Sequence, residues 1–190
     1  MVYRIDVAKE LQEEFLQGRP LGRKHFPQLC SLTTALTSGS VVLLDFGSVK
    51  MVTGSWINEA LVPLLNWMAN QRNDLFPIIL NFSDDWRDEL QMVAEWTHSC
   101  FLVSEGDGFP RRAEIAGRLD TGQLEALSVV HLESGVTGAE LERLHPRLGI
   151  KATAWNNRLK DLYNKRLLRR VKRGREQFYS PVVKEVVVDG

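Results

Sequence analysis

The sequence predicts an α/β (α+β) chain: a mixed sheet covered by helices, followed by a unit of three helices and a β-hairpin. Three observations carry that expectation. Continuous apolar runs VVLLDF and FPIILNF read as strands buried on both faces. Between them lie stretches with apolar residues at helical spacing. After residue 119 the alternation stops, and three short helical patterns precede two alternating strands around a glycine.

Taken in order, residues 2–7 (VYRIDV) alternate as an edge strand, and a short helix is expected over 8–16, broken by Gly18 and Pro20. A second helix is expected from Lys24 or Phe26 through Leu36. The strand VVLLDF covers 41–46. Residues 55–69 carry Ile57, Leu61, Leu64, Leu65 and Met68 on a helical stripe, with Pro63 inside it as a kink point. Strand 76–82, helix 84–96 and strand 101–105 complete a first domain over 1–106. Residues 107–118 combine Gly, Pro and charge without a period and read as a linker. The second domain, 119–190, opens with a helix over 121–133, whose stripe is Leu124, Leu127 and Val130. Thr137 and Glu140 have capping-box spacing for a second helix. A third helix, 153–165, turns Trp155, Leu159 and Leu162 inward, and strands 167–173 and 176–182 meet around Gly174.

Composition narrows the function. No apolar run approaches the roughly 20 residues of a membrane span, and the N-terminus lacks the apolar stretch of a signal peptide, so a cytoplasmic location with no membrane partner is expected. Cys30 and Cys100 fit no metal spacing or disulfide framework and read as small buried apolar residues. The formal net charge of zero is unevenly spread. Residues 1–119 hold 11 basic against 15 acidic side chains, whereas 143–175 hold 12 basic and a single acid, Asp161. A basic run inside a patterned helix and hairpin points to a polyanionic partner.

The third helix suits a DNA major groove, which admits one helix presenting polar and basic groups. Asn156, Asn157 and Lys160 are the candidates for base edges, because Asn pairs bidentately with adenine and Lys with guanine. Lys151 and Arg158 flank that face and are expected on phosphates. Thr153 is expected to cap the helix, and the helix N-terminus itself suits a phosphate. Lys172, Arg173 and Arg175 surround Gly174 at the hairpin tip and suit the minor groove or adjacent phosphates. The segment TAWNNRLKDLYNKRLLRRVKRGREQFYSPV resembles the recognition helix and wing of bacterial winged helix-turn-helix regulators, a likeness covering about 65 residues. It departs from them at Arg166, where many relatives carry glycine. The resemblance implies binding to double-stranded DNA, as a homodimer on paired half-sites.

In the first domain, a strand ending in Asp45 leads to Thr53, Gly54 and Ser55 at a helix start. The pattern LDF..V..VT.S..NEA, with GRPLGRK upstream, resembles a bacterial STAS-like family of unassigned function, related to anti-anti-sigma factors. The likeness covers residues 18–105. It implies a surface for a regulatory protein partner or for dimerisation around Thr53, Ser55, Asn58 and Glu59, with Ser55 at the position of the phosphorylated serine. The usual Asp-Ser-Ser-Gly signature is replaced, however, and bulky Trp56 stands where glycine is found.

No catalytic constellation is visible. His25, His98, His131 and His145 are dispersed, and His131 and His145 read as surface or structural residues. Asp84, Asp85, Asp88 and Glu89 suit a helix N-terminus rather than a metal. SEGDGFP lacks the frame of a phosphate loop, and Trp56, Trp67, Trp86, Trp96 and Trp155 read as core. The expectation is a non-enzymatic transcription regulator without metal or cofactor. Its rival is a partner-switching adaptor in which both domains bind protein.

Overall fold

A computed structural model describes residues 1–132 and 135–187, with the side chains of His131 and Leu132 outside the description. The C-terminal end of the expected helix 121–133 and the side chain of His131 therefore lie outside the described residues. Strands β1 (Val2–Asp6), β3 (Val41–Asp45), β5 (Phe76–Leu80), β6 (Phe101–Ser104), β7 (Arg112–Ala116) and β10 (Glu185–Val187) form one sheet in that order. Helices α1 (Val7–Leu11), α2 (Gly18–Thr34), α3 (Gly54–Gln71) and α4 (Arg87–Trp96) connect its first four strands. β1, β3, β5 and β6 run parallel, β7 is antiparallel to β6, and β10 is parallel to β7.

The sequential strand order has a consequence. Successive right-handed crossovers that always step the same way place every connecting helix on one face of the sheet. Leu29 of α2, Ile57 and Leu61 of α3 and Leu90 of α4 accordingly pack with Val42, Leu44, Ile79 and Val103. The opposite face, with Val41, Leu43, Phe76, Ile78, Leu80 and Leu102, is just as apolar and needs its own cover. It gets that cover from α5 (Thr121–Leu132), α6 (Gly138–Leu144), α7 (Ala152–Asn164) and the hairpin β8 (Leu168–Arg173) and β9 (Glu176–Pro181). Their Leu127, Val130, Leu141, Trp155, Leu159, Leu162 and Leu168 join the same core. The two sequence regions thus share a hydrophobic core.

Several expectations are corrected here. The segment 107–118, read as a linker, contains β7, a strand inside the sheet. The chain end returns as β10 to pair with it, and the Glu185 N–H donates to the Arg111 carbonyl at 2.9 Å. Gly18 and Pro20 begin α2 rather than break a helix, because proline is tolerated in a first turn where the N–H has no intrahelical partner. Phe15 and Leu16 are not helical. They form β2 (Phe15–Leu16), paired in parallel with β4 (Met51–Val52). Helix 84–96 begins as a single 3-10 turn over Asp84–Trp86 before α4. Trp96 is 70% exposed rather than core. Cys100 is buried but Cys30 only partly so, and both thiols are free.

Candidate nucleic-acid interface

Helix α7 sorts its side chains as its periodicity requires. Trp155, Leu159, Leu162 and Tyr163 are buried, while Thr153, Asn156, Asn157, Lys160, Asp161 and Asn164 are exposed. In front of it α6 is held by a complete capping box: the Thr137 hydroxyl accepts from the Glu140 N–H, and the Glu140 carboxylate accepts from the Thr137 N–H. Behind it β8 and β9 close through a two-residue loop. Gly174 takes a φ of 62° at its first position, which a type II′ hairpin demands there.

The N-terminus of α7 differs from expectation. Lys151, not Thr153, occupies the cap position, and no side chain of the helix caps itself. Glu142 of α6 does so instead, accepting the Ala152 N–H at 2.8 Å and pairing with the Lys151 ammonium at 3.2 Å. Those two partners hold the Glu142 carboxyl below its ordinary range. The helix end expected to face a phosphate, and the lysine expected to hold one, are therefore both engaged by this carboxylate.

Two further site residues have internal duties. The Asn156 side-chain oxygen accepts the Gly138 N–H at 3.2 Å, tying α7 to the start of α6. Arg158 donates to Glu125 of α5 at 2.6 Å and lies over the Trp155 ring at 5.4 Å, which clamps α5 to α7. Asn157 and Lys160 remain outward. With Asn156 and Arg175 they line an open groove of about 330 Å³, closed on its other sides by Thr137, Gln177 and Tyr179. Lys172, Arg173 and Arg175 are all exposed at the hairpin, with Arg173 over the Phe178 ring at 5.1 Å.

The basic run is thus divided in two. Arg158, Lys165 and Arg166 are committed to protein groups, Lys151 is ion-paired with Glu142 yet exposed, and Arg169 and Arg170 are half-buried beside aromatic rings. Lys160, Lys172, Arg173 and Arg175 face solvent, and so do Arg143 in the last turn of α6 and Arg147 in the turn ahead of α7. The last two were not singled out from sequence. Their position between the cap at Thr137 and the start of α7 was the available signal.

Arg166 explains its departure from glycine. It follows the end of α7 with a φ of 64°, a left-handed conformation that glycine adopts most readily. Its guanidinium is buried, donates to the Asn73 carbonyl at 2.6 Å and stacks on Tyr163 at 4.3 Å. The Tyr163 hydroxyl donates to the same carbonyl at 2.8 Å. Arg170 covers the other side of this arrangement, 4.1 Å from the Tyr163 ring. Helix α7 is thereby fixed to the loop before β5.

In the first sequence region, Thr53 takes the cap position of α3, but its hydroxyl accepts from the Gly18 N–H at 3.1 Å and meets Ser55 at 3.1 Å. The Gly54 N–H donates to the Glu89 carboxylate of α4. Glu59 pairs with Arg23 at 2.9 Å, and the Arg23 guanidinium holds it below the usual carboxylate range. Thr53, Ser55, Asn58 and Glu59 are all half-buried, in a seam where α2, α3 and α4 meet. A carboxylate already sits on the helix start beside Ser55, where a phosphate would need room.

Among the described residues no group of three His, Cys, Asp or Glu side chains could hold a metal ion, and no helix is long and apolar enough to cross a membrane. No family model matches the chain. No curated protein and no solved structure matches it either.

Proposed function

We propose that this protein is a non-enzymatic transcription regulator that binds double-stranded DNA through α7 and the β8–β9 hairpin, as a homodimer on paired half-sites. One observation carries the reading: Asn157 and Lys160 of α7 and Arg175 of the hairpin line a single solvent-open groove. In this reading α7 enters the major groove, with Asn157 and Lys160 at base edges. Arg173 and Arg175 reach phosphates or the minor groove alongside. Arg143 and Arg147 add phosphate contacts ahead of the helix. Asn156 plays a smaller part, since one face of its amide is spent on Gly138. The sheet and its helices serve signal input or contact with a regulatory protein.

Fluorescence anisotropy with random-sequence duplex across a range of salt concentrations tests this. Contact with about five phosphates gives a log–log salt slope near −4.5. Lys160→Ala and Arg173→Ala should each weaken binding, the second by the same factor for every sequence. Absence of salt-dependent binding at low ionic strength would overturn the reading in favour of a protein-binding adaptor.

A further inference from the structure

Helix α4 turns Leu90, Val93 and Ala94 inward and leaves its opposite side to solvent. On that side Met92 and Trp96 lie one helical turn apart, so they are neighbours on the helix surface, and they are 63% and 70% exposed. Tryptophan and methionine are side chains that protein interfaces gather, and an adjacent exposed pair of them marks a contact surface. The same side is acidic toward the start of the helix. Asp85, in the 3-10 turn, and Asp88 are both exposed, and no described cation lies within ion-pair distance of either. Their neighbours are already engaged: Asp84 meets Arg87 at 3.5 Å, and Glu95 meets Arg118 at 3.0 Å.

Charge distinguishes this place from a second exposed apolar pair, Leu144 and Leu148, which stands among the exposed cations Arg143 and Arg147. The form of an occupant follows from the backbone. A helix surface has no free main-chain N–H or C=O to lend, so an added strand would find no ladder there. An occupant that satisfies its own backbone is a helix, and one that meets Asp85 and Asp88 is cationic. A second copy presenting this same face would set like charges against each other.

We propose that the outer side of α4 docks a cationic amphipathic helix of a regulatory protein. The apolar side chains of that helix cover Met92 and Trp96, and its Lys or Arg side chains meet Asp85 and Asp88. This rests on the partner contact proposed above and gives it a place and a chemistry. Helix α4 packs on one face of the sheet and α7 on the other, so such a partner and a duplex occupy different sides of the molecule. The acidic face itself repels a polyphosphate.

Titration of the full chain with a fluorescein-labelled Leu/Lys amphipathic peptide of about 18 residues tests the face without DNA, beside a Leu/Glu peptide of the same pattern. The Leu/Lys peptide should bind saturably and more weakly as salt rises, and the Leu/Glu peptide should not bind. Trp56 and Trp155 are buried and Trp67 and Trp86 half-buried, so acrylamide quenching reports chiefly on Trp96, and the unlabelled peptide should protect it. Trp96→Ala and Met92→Gln should each weaken the peptide, the first by about tenfold. The pair Asp85→Asn and Asp88→Asn should weaken it several-fold and flatten its salt dependence. The pair Leu144→Ala and Leu148→Ala should leave it unchanged. All these side chains are exposed, and the melting temperature should stay in place. No saturable binding, equal binding of the Leu/Glu peptide, or unchanged affinity in both Trp96→Ala and Met92→Gln would overturn the face. Self-association in sedimentation velocity that Trp96→Ala abolishes would overturn the partner protein in favour of a second copy. Peptide binding by a chain that does not bind duplex would overturn only the DNA reading.

Discussion

Arg158 and Lys160 sit two positions apart on α7, so the helix turns them to different sides, and only one is available to a ligand. Arg158→Ala should lower stability by about 1 kcal/mol, because its partly exposed pair with Glu125 and its stacking on Trp155 are both lost. Its duplex affinity should change little. Lys160→Ala should leave the melting temperature in place and reduce duplex affinity. Thermal melts and anisotropy on the two variants check this reciprocal pattern. His25 supplies a pH prediction. It is buried, accepts the Trp56 indole N–H on Nδ1 at 3.2 Å, and is pushed below its ordinary value by burial and then by Lys24. The unfolded imidazole takes up a proton near pH 6.5, and the folded one resists. Stability from this group is therefore fully present above about pH 6.5 and declines as the pH falls below it. Urea titrations at roughly pH 7.5 and pH 5.5 should show that loss, and His25→Gln should flatten it.

At the scale of elements, the contact between α6 and α7 is set by one glycine and one carboxylate. A Cβ on Gly138 would stand 2.5 Å from Asn156 Oδ1 and 2.6 Å from the Ala152 carbonyl, and the second of these is backbone that cannot swing away. Gly138→Ala should cost about 1–3 kcal/mol, read as a fall in melting temperature, by prying the helices apart. Glu142→Gln has the opposite value for binding. Freed of the carboxylate, the Ala152 N–H and Lys151 become available to a phosphate. Duplex affinity should rise several-fold and the salt slope should steepen by about one. Anisotropy across salt concentrations checks both; a weaker-binding variant would count against the orientation of α7. The helices and strands themselves were largely legible because each carries its own period. The exceptions are pieces whose partners decide them: β2 and β4 are two residues each, β10 is three, and the five-residue β7 lies in the stretch expected as a linker.

Over the whole molecule, the sheet is apolar on both faces, and its own crossover helices cover only one. The fragment 1–118 should therefore expose Val41, Leu43, Phe76, Ile78 and Leu102 and aggregate. The intact chain should unfold in a single cooperative transition, because α7 and the sheet share a core. Calorimetry showing two separate transitions would contradict that. The same shared core explains why the charge pattern overstated the free basic surface. Arg166 and Arg169 are spent on holding the two regions together and Arg158 on joining α5 to α7, roles that depend on the tertiary packing and leave no mark in spacing.

By itself the sequence determined the strands buried on both faces, the capping box at Thr137, the inward stripe of α7 and the glycine turn of the hairpin, because each rests on interactions within a few residues. Only the tertiary structure decided that residues 107–118 are sheet rather than linker, that Glu142 occupies the end of α7, and that Arg166 is a buried bolt in a glycine position. Those outcomes come from groups distant in the chain competing for the same donors, acceptors and apolar surface, and the competition is settled only when the chain closes on itself.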